Sequence, residues 1–235
     1  MEINNIEEFD EWHTSLKRTT SHTLFRGQAQ SWSLLPSICR GTNRSKLLEQ
    51  EKELLTEFKT LAKGCLHQIP RNDWDWLVVA QHHGLPTRLL DWTSSPYAAL
   101  WFAVEKASQN DVEPEVWVLQ PLEKDYIGAE ELQDAQPFSG SRTKLFETSF
   151  KIPRVSAQRG CFALMKYLDS TKSGFVPLES NKHLKDRMHR VTINPVCAKS
   201  LLHALESKGF THGKMYPNID EVAKQVKLRV LGSIA

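Results

Sequence analysis

The chain has 235 residues, 40% of them hydrophobic and 25% charged, and a formal net charge of +2. A chain of this length buries a substantial core, so a single domain over 1–235 is expected, while the near-neutral charge excludes binding to nucleic acid through the overall field alone. The four cysteines form no C-x-x-C pair, the acidic start is no signal sequence and no apolar run approaches a membrane span, which together predict no metal, no membrane and a cytoplasmic protein with reduced thiols.

Asn5, with Glu8 three residues later, predicts the start of an N-terminal helix carrying Phe9, Trp12 and Leu16 at helical spacing. Residues 23–28 read as a strand in which Gly27 marks a close backbone approach or a bend. Arg26 beside it is either a structural ion pair or a cation held next to an open backbone. Residues 32–37 are apolar and non-helical and are expected to pack along the sheet. Residues 45–66 predict a long amphipathic helix whose Glu49, Glu51, Lys52 and Glu53 form a solvated face.

The richest stretch runs from Gln81 to Ala103. A helix capped by Asn72 or Asp73 delivers His82 and His83 to its C-terminal end, where the helix dipole favours them, and Gly84 and Pro86 end it. Adjacent histidines on a helix point apart and make a poor chelating pair, against the usual i, i+4 metal spacing. Leu89 to Trp92 is strand-like. Asp91 then pairs with Arg88 to hold the strand end. Ser95 caps a helix with Pro96 in its first turn, apolar nearly all round and therefore buried.

Residues 110–114 predict a turn and 115–119 a strand rich in β-formers. Periodicity fails over 121–150, read as loop with a short helix; a connection of that length is often functional. A strand over 161–164 is entered through Gly160, another over 189–193 precedes a helix over 196–207, and a last helix is expected over 221–230. Lys182, Lys185, Arg187 and Arg190, interleaved with His183 and His189, form either a solvated face or a receptor for an anionic substrate.

Several of these residues together resemble the FRG domain, a family named for a Phe-Arg-Gly tripeptide, here Phe25-Arg26-Gly27. Leu24 to Gln28, Trp32-x-x-x-Pro36, Gln81 to Ala103, Gln158-x-Gly160-x-Phe162, Gly209 and the segment Tyr216 to Asp220 follow the family's order over about 22–225. That arrangement is in turn similar to the ADP-ribosyltransferase fold: an Arg-Gly strand, a second strand ending in hydroxyl residues, then an Ala/Phe-rich helix. The resemblance implies an α+β fold of split, mostly antiparallel β-sheets flanked by helices, with NAD in the cleft between. Arg26 would then meet a phosphate or ribose hydroxyl. Gly27 would bond the carboxamide through its backbone, and Gln28, Thr93, Ser94 and Ser95 would line the cofactor site with His83.

The resemblance also implies NAD-dependent ADP-ribosyl transfer by a toxin or phage-defence effector. RNA, DNA or a protein would be the acceptor, and an antitoxin a partner. Such transferases carry a catalytic Glu on a later strand, where this chain offers Gln158. Glutamine bonds a ribose hydroxyl but carries no charge and takes no proton. Either Gln158 binds while Glu147, Asp91 or another acid acts, or the fold serves as a non-catalytic nucleotide- or partner-binding module.

Overall fold

The computed structural model describes residues 1–16, 22–40, 46–107, 113–128, 131–134, 136–171 and 174–218, together with 223 and 226. Its strands are β1 (Glu2–Ile3), β2 (Leu24–Gln28), β3 (Leu89–Thr93), β4 (Glu115–Leu119), β5 (Lys144–Phe146), β6 (Gly160–Leu164) and β7 (Met188–Ile193). Around them lie helices α1 (Ile6–Ser15), α2 (Leu47–Ala62), α3 (Asp73–His82), α4 (Pro96–Val104), α5 (Glu131–Asp134), α6 (Pro153–Ala157), α7 (Ala198–Ser207) and α8 (His212–Met215). The strands form one seven-stranded sheet in the order β1-β7-β4-β2-β3-β6-β5. Among the described strands only β1 and β7 pair in parallel.

Pairing along this sheet is uneven. β2 matches β4 from Leu24↔Leu119 to Gln28↔Glu115, and β3 matches β6 from Leu89↔Leu164 to Thr93↔Gly160. Between β2 and β3 the only register pair is Phe25↔Thr93. The sheet therefore consists of two fully laddered blocks, β1-β7-β4-β2 and β3-β6-β5, joined at one residue pair. In place of the expected split sheets there is one mixed sheet with a narrow joint.

Local chemistry accounts for the helix ends. Asn5, Asn72, Ser95 and Thr211 each accept a bond from a backbone amide of the following first turn, satisfying donors that a helix start leaves unpaired. At the other end of α3 the Leu85 amide bonds the Ala80 carbonyl and the Gly84 amide the Gln81 carbonyl. Gly84 sits at φ +89°, the left-handed conformation of a Schellman cap that glycine enters at little cost.

Helix α4 lies on the inner face of the first block, with Phe25, Val116, Val118 and Val191 in the same cluster. Its fit against β2 is tight. A Cβ placed on Gly27 would lie 1.7 Å from the Ala99 carbonyl oxygen, so the glycine is needed for helix and strand to meet. The expected close backbone approach is the one observed. A second cluster (Leu24, Leu119, Leu90, Trp92, Cys161) spans both blocks, and a third (Trp74, Leu77, Leu89, Phe162) covers the other face of β3 and β6.

Several expectations are corrected. Glu51 is buried rather than solvated, and its carboxylate accepts from the Arg88 backbone amide and Nε, both at 2.8 Å, with Nη2 in ion-pair contact at 2.7 Å. Arg88 thus pairs with Glu51 across 37 residues, not with Asp91. In the 32–37 stretch Leu34 is buried but Trp32 is 52% exposed. Strands β1 and β5 and helices α6 and α8 are additions to the expected elements. Of the helix expected over 221–230, only Ala223 and Val226 lie among the described residues, both helical.

Candidate active-site cleft

Beside the joint between the blocks a cavity of about 560 Å³ is lined by β2 residues Phe25 to Gln28, β3 residues Leu89 to Thr93 and the ends of α3, α4, α6 and α8. Its size falls in the usual range for small-molecule sites. Arg26 projects from the first block, and its Nη1 donates to the Asp91 carbonyl oxygen of the second at 2.7 Å. This bond crosses the place where strand pairing is thinnest.

Asp91 turns its side chain outward between the buried Leu90 and Trp92. The Gln81 amide donates to Asp91 Oδ1 at 2.8 Å, the Thr87 hydroxyl bonds Gln81 Oε1, and the Leu89 amide bonds Thr87 Oγ1 at 3.1 Å. This relay fixes the carboxylate from the loop between α3 and β3. Beside it His82 lines the cavity. Burial, then the positive fields of His83 and Arg154, hold its imidazole below the ordinary histidine range, so it is neutral at pH 7 and able to accept a proton.

The far wall is aromatic and cationic. The Arg154 guanidinium lies 4.4 Å from the Tyr216 ring centroid, and the Tyr216 hydroxyl bonds Glu105 Oε2 at 3.4 Å. Burial and then the Glu105 charge raise the Tyr216 phenol above its ordinary value, keeping it protonated. Among the lining residues three permanent cations, Arg26, Lys106 and Arg154, face two carboxylates, Asp91 and Glu105. Such a lining favours a ligand that carries negative charge.

The residues singled out from sequence divide. Arg26, Gly27, Gln28, Thr93 and Gln158 all line the cleft. His83, Ser94, Ser95 and Glu147 are not among its lining residues. His83 is exposed and stands at 82° to His82, which takes the place expected for it. Ser95 is buried as the cap of α4. Ser94 is exposed, and its backbone amide bonds the Arg159 carbonyl. Thr93 Oγ1 donates to the Gln158 carbonyl at 2.5 Å and accepts the Ser95 amide at 3.0 Å. The Thr-Ser-Ser turn therefore clasps β3 to the entry of β6.

Glu147 is exposed just past edge strand β5. Burial, followed by the Glu147 charge, pushes the Cys161 thiol up to about 12, and Glu147 is absent from the cavity lining. Gln158 spends its Nε2 on the Met215 carbonyl at 2.8 Å, tying α8 to the cleft wall. Gln28 donates to the buried Glu115 at 2.6 Å.

Comparison with known families matches residues 21–112 to the model of the FRG domain. The chain carries an FRG domain. No curated protein and no solved structure matches the chain. The FRG match spans β2, α2, α3, β3 and α4, so it contains Arg26, the Thr87–Gln81–Asp91 relay and His82. The wall built from Arg154, Gln158 and Tyr216 lies beyond it.

Sequence reasoning passed over Arg154 and Glu105, gave Gln81 no role of its own within the richest stretch, and favoured Arg88 as the partner of Asp91. Within the FRG segment the signal was the density of polar residues between two apolar runs. For Glu105 and Arg154 no local signal exists, because each is an ordinary charged residue at a helix end. Among the described residues no three His, Cys, Asp or Glu side chains gather as a metal site. No described helix is long and apolar enough to cross a membrane.

Proposed function

We propose that this FRG-domain protein is an NAD-dependent ADP-ribosyltransferase on an ADP-ribosyltransferase-like fold, an effector of the toxin or phage-defence kind. The observation that carries the reading is the joint between the sheet blocks: strand pairing narrows to Phe25↔Thr93, and the Arg26 guanidinium crosses beside a cavity of about 560 Å³. A dinucleotide with a pyrophosphate suits the cationic lining. Arg26 supplies charge-assisted donors to the phosphates or ribose.

The chemistry required is cleavage of the bond between ribose C1′ and the nicotinamide nitrogen, the electron pair leaving with nicotinamide as the acceptor atom bonds to C1′ and loses a proton. Positive charge grows on the ribose in that transition state, so a fixed carboxylate nearby lowers the barrier. Asp91, held by Gln81, is the cleft carboxylate on the Arg26 side and takes the role for which Glu147 is out of place. Neutral His82 takes the acceptor proton.

The test pairs binding with turnover. Asp91→Asn keeps NAD affinity within a few-fold in calorimetry while label transfer to RNA, DNA or lysate falls by about 10²–10³. Equal transfer by variant and parent would remove Asp91 from the mechanism. The second reading, a non-catalytic nucleotide-binding module, is favoured by Gln158, whose amide is engaged with Met215. It predicts NAD binding that depends on Arg26 and no transfer by any form of the chain.

A further inference from the structure

The β2-β4-β7 register aligns three side chains on the sheet face opposite α4: Arg26 beside Trp117, and Trp117 beside Arg190. This row leads from the cleft to a second hollow of about 400 Å³, lined by Ser31, Trp32, Ser33, Trp117, Glu179 and Arg190. Trp32 lines both cavities and is 52% exposed.

The chemistry of the second hollow is specific. The Trp117 indole N–H donates to Glu115 Oε1 at 2.6 Å, which anchors the ring, and Arg190 lies 5.6 Å from its centroid. Arg190 Nη1 bonds Glu115 Oε2 at 3.0 Å and Ser31 Oγ at 3.2 Å, fixing the guanidinium while its side chain stays 50% exposed. Glu179 uses Oε2 on the Leu34 amide at 3.1 Å, and a carboxylate has further lone pairs to offer. The exposed Trp32 ring, a guanidinium held over Trp117 and a carboxylate in one shallow hollow are the parts that receive an unstacked base: a face to stack on, a donor fork and an acceptor edge.

We propose that this hollow is a nucleobase subsite for a single-stranded nucleic acid, the acceptor delivered to the cleft; the acceptor role rests on the transferase reading, the binding itself does not. Guanine fits the edges best. Its N1–H and N2–H₂ donors suit Glu179, and its O6 and N7 acceptors suit Arg190. The near-neutral chain does not hold nucleic acid by field alone, so a stacked base supplies what phosphate contacts do not.

The experiment is fluorescence anisotropy without NAD, on the full chain, with labelled uridine-run RNA hexamers carrying one central guanine, adenine or cytosine, their DNA counterparts and a duplex of the same length. The expected result is tightest binding to the guanine single strand, at least tenfold weaker with Trp32→Ala, whose exposed ring can be lost without opening the core. Glu179→Gln, which keeps an acceptor for Leu34, removes the guanine preference and leaves adenine binding within twofold. RNA and DNA arms that differ identify the sugar. No binding to any single strand, or binding that Trp32→Ala and Glu179→Gln both leave unchanged, overturns the proposal. Because NAD is absent, these outcomes are independent of whether the cleft binds NAD, which calorimetry reads separately.

Discussion

His82 and Asp91 sit ten or fewer residues apart in one segment, yet the sequence treats them very differently from the structure. Histidine at a helix C-terminus suggests a dipole effect that raises its pKa. In the fold, burial wins, and His82 is held below the ordinary range. The sign follows from proton counting: the unfolded chain binds a proton near pH 6.5 while folded His82 does not. Its contribution to stability is in place above that pH and is lost as pH falls towards the folded value. His82→Gln is expected to flatten the dependence of Tm on pH between 7 and 5, read by circular dichroism. An unchanged slope would mean that burial of this ring is not felt. Asp91 was misassigned for a plainer reason. Its neighbour Arg88 is three residues away in sequence, but Arg88 and Glu51 are each 2% exposed and bound to one another, and a buried arginine takes the partner that also satisfies its backbone amide.

At the scale of elements, what was legible in the sequence was whatever local chemistry dictates. Caps at Asn5, Asn72 and Ser95, the stop at Gly84 and the apolar surround of α4 all follow from residues within one turn. The three-residue β5 and two-residue β1 were illegible, because each is a strand only through its partner: Leu145 against Ala163, Ile3 against Ile193. The cleft shows the same division, since Arg26 and the Gln81–Thr93 stretch announce themselves, whereas Glu105 and Arg154 arrive through long-range packing. Gly27 is legible on both grounds and can be tested. Its added Cβ would meet the Ala99 carbonyl at 1.7 Å and the Ala103 amide at 2.8 Å. Both are backbone atoms that cannot rotate aside. Gly27→Ala is expected to cost about 3 kcal/mol or more, a fall in Tm of roughly 6–12 °C for a chain of this size. Retention of full stability would show that α4 can move off β2, and would detach the glycine from packing and return it to ligand contact.

For the molecule as a whole, the consequential feature is that two well-laddered blocks share one core cluster but pair through one register pair, with the α4 contact and the Arg26–Asp91 bond beside it. A ligand lodged there touches β2 and β3 at once and binds the native state only, because unfolding separates strands that lie 65 residues apart in the chain. Linkage then sets the size of the effect. At free NAD one hundred times its Kd, the native state gains about 2.7 kcal/mol, which raises Tm by roughly 5–11 °C. Arg26→Ala removes the cation and the bond to the Asp91 carbonyl together, so it lowers Tm modestly without ligand and abolishes the NAD-dependent rise. Asp91→Asn keeps the backbone carbonyl and therefore keeps the rise, even where transfer is lost. Thermal melts of the three proteins with and without NAD separate the two roles. A rise that persists in Arg26→Ala would place the dinucleotide away from the joint, and the absence of a rise in the parent chain would remove NAD as the ligand.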